Sequence, residues 1–584
     1  MSILKKLEND VKKIINKAGY EVENFVLETS NRRDLGEYQI NNAMQLAKIY
    51  HQNPREIAEK IVKELEKDSR FTNINIAGPG FINISIDNQY MIDILNEINK
   101  DVYSNIDKKE KKKIIIDYGG ANVAKALHVG HLRSANIGEA LKRLAILLGY
   151  DALGDAHLGD FGRPLGLVIK EIKDMYPNLP YFDENYKGDY SEIDLPITNE
   201  DLERIYPLAS NKAKEDEKYL EEAREITVKF QQYERGYYDL LKKIVDISKE
   251  DIKKTYEELN VHFEIWNGES DEMKFFKPLN EQCEKMGVLT DSEGAKIIEV
   301  AKEDDNAPMP PLMYVKSNGS VSYDTTDLAT ILERKINVNP EEIWYVVDGR
   351  QSLHFEQVFR ASRRAKLVED NVVLEHIGFG TMNGKDGKPF KTRDGGVMPL
   401  KTLINLVSEE TEKRISSESI DAEEKKSIAK TVAIAALKYA DLLPFRSTDY
   451  IFEIEKFSDL DGKTGPYLLY STIRMKSLLK KAEQANIEAT NITKLKGETE
   501  KDIALTVLNL PISLEKSLET KSLNEIAEYI YKLTSFYNKF YAENKIIGEE
   551  DKELQSSWLV LTKVVYQINT MLLDTLGIEV PDKM

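Results

Sequence analysis

Cysteine is almost absent: Cys283 is the one thiol in 584 residues. A single thiol excludes an intramolecular disulfide framework and any cysteine-based zinc knuckle. Long apolar runs are also missing, none approaching the roughly 18 uncharged residues that a membrane span requires. Residues 1–16 alternate apolar and charged side chains at helical spacing and contain no signal-peptide hydrophobic stretch, so a cytoplasmic location is expected. Positive charge is in deficit, with 81 Lys+Arg against 100 Asp+Glu and a net charge of −19. That balance argues against a generally basic nucleic-acid coat. Neither an internal repeat nor a low-complexity segment is evident. What is present is 41% hydrophobic and 31% charged residues, enough to build several cores and too apolar for a disordered chain. The length sets a prior of about three to five domains.

Residues 1–107 are the first expected unit, a small α+β domain. Leu4, Leu7, Val11, Ile14 and Ile15 follow a helical stripe, and Pro54 opens a second helix at a position where its missing N–H costs nothing. Period-two runs at 73–76 and 82–86 flank Ala77-Gly78-Pro79-Gly80, which predicts a hairpin. The charged run 108–113 leads into a second unit, 108–455, with strand–helix alternation. Ile114-Ile115-Ile116 is the continuous apolar run of a strand covered on both faces. A helix is expected at 129–148, with further strands at 152–155, 297–300, 314–316 and 344–347. The charged, helix-prone stretch 171–264 interrupts this pattern as an insertion. Beyond Leu400 the pattern is helical, and 456–584 is expected to be an all-α bundle.

The most informative segment is Asn122-Val123-Ala124-Lys125-Ala126-Leu127-His128-Val129-Gly130-His131-Leu132-Arg133-Ser134. It lies where a buried strand hands over to a helix, the crevice at which doubly wound sheets bind ligands. His128 and His131 are three apart and project to one side of the first turn. Gly130 between them leaves room for a flat group against the backbone. A helix N-terminus attracts phosphate, and two imidazoles beside a triphosphate can donate to the charge that develops when the α-phosphate is attacked. The competing reading is a pair of surface histidines; the strand, the glycine and Lys125 favour the functional one. With no third ligand nearby in sequence, a protein-held metal is not expected.

These residues resemble the His-x-Gly-His signature of class I aminoacyl-tRNA synthetases, and the longer string is similar to the version in arginyl-tRNA synthetases. A second segment, Gly384-Lys385-Asp386-Gly387-Lys388-Pro389-Phe390-Lys391-Thr392-Arg393-Asp394-Gly395-Gly396, places four cations on a glycine-punctuated loop. Such a loop suits a clamp on a pyrophosphate leaving group. It resembles the loop that replaces the Lys-Met-Ser-Lys-Ser signature in many bacterial arginyl enzymes. Here it lacks a lysine at the motif's first position, and Lys125 is the candidate to supply that charge. The resemblance implies ATP contacts from His128, Gly130, His131, Gly384, Lys385, Lys388 and Lys391, with Lys125, Lys391 and Arg393 joining the histidines in catalysis.

A guanidinium is a planar, permanently charged fork, and its pocket needs carboxylates together with acceptors or a flat surface. Tyr323 and Asp327 share a face if a helix starts there, Asp117 ends the first strand, and Gln351 follows another strand. The family's arginine-binding positions match Asp117, Asn122, Tyr323, Asp327 and Gln351, with His128 beside them. The pocket floor departs from the family's usual Ser-x-Pro-Asn, reading Gly119-Gly120-Ala121-Asn122. His157-Leu158-Gly159-Asp160-Phe161-Gly162 is similar to the family's Gly-Asp-Trp-Gly element, with His157 open between a structural and a ligand-contacting role.

The flanks extend the resemblance. Asp34 to Asn41 and Gly78 to Asn83 are similar to the N-terminal domain of arginyl enzymes that touches the tRNA D-loop, while Thr464 to Tyr470 and the closing Leu576 to Met584 are similar to the helical anticodon-binding domain. Asn41, Phe81, Tyr467, Tyr470, Tyr541 and Met584 are the implied tRNA contacts. Phe536, Tyr537 and Phe540 are further stacking candidates, for which core packing is the competing role at helical spacing. The resemblance thus implies a Rossmann-type parallel-sheet catalytic domain with insertions between an α+β N-terminal domain and an all-α bundle. It implies a monomer using L-arginine, tRNA(Arg) and ATP, with Mg²⁺ arriving on ATP, no structural metal and no membrane contact. The residues alone leave open another nucleotidyl-transferring enzyme or an inactive tRNA-binding paralogue. For the acidic balance to fit an RNA substrate, basic groups must be concentrated locally, and residues 108–113, the 384–396 loop, Arg474, Lys476, Lys480 and Lys481 are the expected contributors.

Overall fold

The computed structural model describes residues 1–584 except 24, 31, 389–397 and 416–420. The expected helices at the start of the chain form as Ile3–Lys17, capped by Ser2, and Pro54–Leu65, capped by Asn53 with proline in its first turn. The hairpin pairs Phe71–Ala77 with Phe81–Ile86, and Gly78 and Gly80 take positive φ in its turn. Tyr38–Ile40 joins the same antiparallel sheet. This unit docks on the C-terminal bundle: Tyr38 Oη donates to Asn509 Oδ1 at 2.8 Å, and Asn105 Nδ2 donates to the Val507 and Leu508 carbonyls.

The central sheet is parallel, in the order Val373–His376, Glu342–Tyr345, Lys113–Asp117, Asp151–Asp155. Lys113–Asp117 lies inside it with Ile114, Ile115 and Ile116 fully buried, as a strand covered on both faces must be. Two expectations need correction. The segments at 297–300 and 314–316 do contain strand, Ala295–Ile298 and Leu312–Val315, but they form a separate antiparallel sheet with Leu289–Ser292. The edge strand Val373–His376 was not anticipated: it is four residues long, and Val373 and Leu374 give way at once to Glu375 and His376. The insertion consists of the helices Asn199–Glu215, Glu217–Gln231 and Arg235–Glu258.

From the central strand the chain turns into the signature helix, Val129–Leu147. A side chain at Gly138 would overlap Tyr118, so glycine is what allows this helix to lie close on the strand. The opposite side of the helix is tied to the C-terminal region: Arg133 Nε ion-pairs with Asp441 at 2.8 Å, both fully buried, and Asn136 Nδ2 donates to the other Asp441 oxygen. Asp441 belongs to the helix Ala422–Leu442. The histidine-bearing helix is therefore held between the sheet and the helix Ala422–Leu442.

Candidate active site

The strand Lys113–Asp117 ends in Asp117, and the chain reaches the helix through a tight passage in which Ala124 adopts φ 59°. That left-handed backbone is strained for alanine by about 1 kcal/mol. Ser248 of the insertion fixes it by accepting the Ala124 N–H at 3.1 Å. No sequence signal marked Ser248 for this role.

The two histidines cap their own helix. His128 Nδ1 accepts the Gly130 N–H at 3.0 Å, and His131 Nδ1 accepts the His128 N–H at 3.0 Å. The rings lie 3.9 Å apart between centroids. A nitrogen that accepts a backbone hydrogen carries none, so each neutral ring bears its proton on Nε2. Burial lowers both imidazoles, His131 to about 3 with help from its neighbour His128. Two neutral Nε2–H donors thus stand at a helix N-terminus, a site made for phosphate oxygens. Lys125 lies beside them with Nζ 4.3 Å from the Tyr206 ring centroid. A methyl at Gly130 would approach His128 Cε1 to 2.8 Å and Nδ1 to 2.9 Å. Gly130→Ala is therefore expected to cut adenylate formation about tenfold by displacing the His128 ring, without moving the thermal transition; pyrophosphate exchange and a melting curve check both parts.

The chain beyond the glycine–lysine loop returns to this site. Gly384 N–H donates to the Lys388 carbonyl in a tight turn, and beyond the loop Val129 N–H donates to Met398 while Leu400 N–H returns to Leu127. Lys385 pairs with Glu455 at 3.2 Å. Lys391 and Arg393 lie outside the described residues.

The guanidinium candidates gather around the helix Tyr323–Asn337. Tyr323 is 61% exposed and packs its ring 5.0 Å from His354. Asp327 Oδ2 lies 2.6 Å from His354 Nε2, and Asp324 Oδ1 lies 3.0 Å from Nδ1. His354 was not anticipated as a site residue; two aspartates three apart on one helical turn were the signal that a cation faces them. Burial opposes charge on this ring, but the two carboxylates overcome it and hold the imidazole up at about 9. A base raised in the folded state stabilises fully below its unfolded pKa and loses that contribution as pH rises through the folded value. The melting deficit of His354→Ala is expected to be largest near pH 6 and to vanish by pH 10, as thermal scans across that range would show.

Asp117 sits at the same strand end but is shared: its Oδ2 accepts from Arg334 Nη2 at 2.5 Å, and Asp155 Oδ2 accepts from the same nitrogen at 2.7 Å. Arg334 is fully buried and was also missed, although it stands on the same helix face as Asp327, two turns on. Asn122 is exposed and paired by backbone to Gly159, and Gln351 is exposed in the turn Gly349–Gln351. His157 is half-buried with Nε2 3.3 Å from Thr330 Oγ1; desolvation would discharge it, yet Asp155 and Asp117 raise its pKa. Asp160 is held by the Ser270 N–H and hydroxyl, with its carboxyl pushed up by burial to about 6. A cavity of about 740 Å³ opens beside Tyr323, Thr326, Phe161 and Glu269.

The tRNA-contact candidates spread over two units. Asn41 donates to Glu28 and Phe81 is half-buried in the N-terminal unit. Tyr467, Tyr541 and Met584 are half-buried, and Tyr470 is 46% exposed, in the bundle. Tyr537 and Phe540 are fully buried, so packing is their role. Several expected basic contributors are paired with carboxylates: Lys109 with Glu515, Lys112 with Glu342 and Lys476 with the exposed Asp582. Arg474 lies over the Tyr541 ring at 4.6 Å.

Comparison with known proteins matches residues 93–454 to the tRNA synthetases class I (R) catalytic domain, 5–86 to the arginyl tRNA synthetase N-terminal domain and 468–584 to the DALR anticodon-binding domain. The fold matches arginyl-tRNA synthetases from Plasmodium falciparum (TM-score 0.78, 24% identity, 100% of this chain and 99% of that one) and Thermus thermophilus (TM-score 0.80, 18% identity, all of both chains). The parallel sheet with two capping histidines at its switch to the helix, on a chain that matches this domain set, defines a class I aminoacyl-tRNA synthetase. Arginine--tRNA ligases from Alkaliphilus oremlandii and Agathobacter rectalis are each 42% identical across the whole of both chains. The chain belongs to the arginyl-tRNA synthetase family, and it is an enzyme that activates arginine and charges tRNA.

Proposed function

We propose that both steps, ATP + L-arginine + tRNA(Arg) → L-arginyl-tRNA(Arg) + AMP + diphosphate, run at the crevice between His128, His131 and Asp327. In the first, an arginine carboxylate oxygen attacks the α-phosphorus, and the bond to the pyrophosphate oxygen breaks. In the second, a hydroxyl of the 3′-terminal adenosine attacks the arginyl carbonyl and AMP leaves. The supporting observation is the pair of Nε2–H donors that backbone capping enforces on His128 and His131. They would hold the α-phosphate oxygens as their charge grows, with Gly130 leaving space for the nucleotide. Gly384, Lys385, Lys388, Lys391 and Arg393, with Lys125, would take the pyrophosphate. Asp327 and Tyr323 would hold the guanidinium with Asp117 and Gln351, and Asn122 and His128 would face the α-amino and carboxylate end.

Mg²⁺ would enter on ATP, as the use of ATP by this family implies. Among the described residues no helix is long and apolar enough to cross a membrane, and we place the enzyme in the cytoplasm as a monomer with domains at 1–107, 108–455 and 456–584. Asn41, Phe81, Tyr467, Tyr470, Tyr541 and Met584 would contact tRNA(Arg). The test is amino-acid-dependent ATP–pyrophosphate exchange, with and without total tRNA. Arginine should support exchange and do so best with tRNA present; exchange with lysine or glutamine but not arginine would overturn the reading.

A further inference from the structure

The helical insertion grips the reaction site at three points. Ser248, buried on the helix Arg235–Glu258, accepts the Ala124 N–H at 3.1 Å. Asp251, one turn further along the same helix, pairs at 2.7 Å with Lys401, which follows the glycine–lysine loop. The third point is Tyr206 on the helix Asn199–Glu215, whose ring centroid lies 4.3 Å from Lys125 Nζ. Both of these side chains are half-buried. The separation is well within the roughly 6 Å over which a ring face attracts a cation. Among the described residues Lys125 has no carboxylate partner, and the Tyr206 hydroxyl has no hydrogen-bond partner.

The kind of partner decides what Lys125 can do. A carboxylate would occupy the donors of the ammonium and cancel its charge, as Asp251 does for Lys401. A ring face attracts the cation without offering a lone pair, so the three N–H groups of Lys125 stay free for phosphate oxygens. A lysine stem is flexible, and a surface that orders it before substrate arrives removes part of the entropy cost of the reaction. The adjoining backbone is fixed as well, because Ser248 holds Ala124 in its left-handed conformation. The charge of Lys125 is felt at both histidines, where it adds to burial in lowering the imidazole pKa. We propose that Tyr206 is a positioning residue for adenylate formation: its ring holds the Lys125 ammonium, free of any carboxylate, beside His128 and His131 and ready for the pyrophosphate of ATP. The proposal rests on the reading that Lys125 takes the pyrophosphate. It gives the insertion a part in the chemistry although Tyr206 need not touch substrate.

The experiment is arginine-dependent ATP–pyrophosphate exchange with tRNA present. Tyr206→Leu, which keeps apolar bulk, is expected to lower kcat/KM for pyrophosphate about tenfold while the KM for arginine stays within about twofold. Tyr206→Phe keeps the ring face and should stay within about twofold of the parent. Lys125→Ala should lose at least as much as Tyr206→Leu. Adding Tyr206→Leu to Lys125→Ala should then change exchange by less than about twofold, because the ring has no cation left to hold. A packing defect would instead add its full loss to that of Lys125→Ala and raise the KM for arginine. Parental kcat/KM for pyrophosphate in Tyr206→Leu, equal losses in Tyr206→Phe and Tyr206→Leu, or additive losses in the double variant would overturn the proposal. Parental exchange in Lys125→Ala would remove the role given to Lys125, and the proposal with it. If the parent shows no arginine-dependent exchange, the function assigned above fails instead. Titration of the same variants with inorganic pyrophosphate then reads the pair by itself: Tyr206→Leu should bind about tenfold more weakly than the parent, and equal binding would overturn the proposal.

Discussion

Replacing His131 by alanine is expected to reduce arginine-dependent pyrophosphate exchange by about a hundredfold to a thousandfold, the usual cost of losing one preorganised donor to a developing oxyanion. Two losses coincide in this variant: the Nε2–H donor disappears, and the His128 N–H loses its acceptor. His131→Asn keeps an acceptor near that N–H but does not reach the phosphate, so it should be as inactive as His131→Ala while melting like the parent. Near-parental exchange in His131→Asn would show that the Nε2–H donor is dispensable. Because burial holds His131 at about 3 and lowers His128 as well, neither ring should titrate between pH 6.5 and 9. The kcat of exchange should therefore be flat across that window as far as these rings are concerned. In stability the sign is that of a base depressed on folding: the neutral ring favours the folded state above its unfolded pKa near 6.5, and that contribution is lost as pH falls below it.

Arg334→Met is expected to be the most destabilising single change in the catalytic unit, by about 3–5 kcal/mol, the range found when one partner of a buried ion pair is removed. Arg334 is fully buried and its Nη2 serves both Asp117 and Asp155. Without it, two carboxylates at one strand end repel each other in a site of low polarity. Burial already raises the Asp155 carboxyl with Arg334 in place, and losing the guanidinium would raise it further, so the deficit should shrink as pH is lowered from 7 to 5. Adding Asp155→Asn should recover part of the loss by removing one of the charges. Denaturant unfolding of the catalytic unit measures all three effects, and a deficit under about 1 kcal/mol for Arg334→Met would be inconsistent with the pair's burial. Under the function proposed above, Arg334 would also bear on arginine binding, since it fixes the Asp117 carboxylate.

Asp117 shows how far the site was legible beforehand: the sequence marked its strand end, and only the fold showed that Arg334 holds it. His128, Gly130 and His131 were recognisable because helix initiation after a buried strand is a local event, and their spacing puts the rings together whatever surrounds them. Tyr323 and Asp327 were expected from spacing and the family resemblance together, and the fold places both on the helix Tyr323–Asn337. His354, Arg334 and Ser248 escaped because each acts across a tertiary contact: His354 reaches back 27 residues to Asp327, Arg334 reaches 179 residues to Asp155, and Ser248 holds Ala124 from 124 residues away. The tautomer of the histidines was equally out of reach, since it depends on which nitrogen meets a backbone N–H.

By itself the sequence determined the element types wherever a local rule governs them: the buried strand Lys113–Asp117, the proline-started helix Pro54–Leu65 and the glycine-turned hairpin. It also carried the family signature from end to end. Only the tertiary structure decided which sheet the strands at Ala295–Ile298 and Leu312–Val315 join, because strand periodicity marks a face and says nothing of its partner. The same limit applies to charge. Composition counts a lysine identically whether or not a carboxylate faces it, as Glu515 faces Lys109, and electrostatic energy depends on distance, which only the fold supplies.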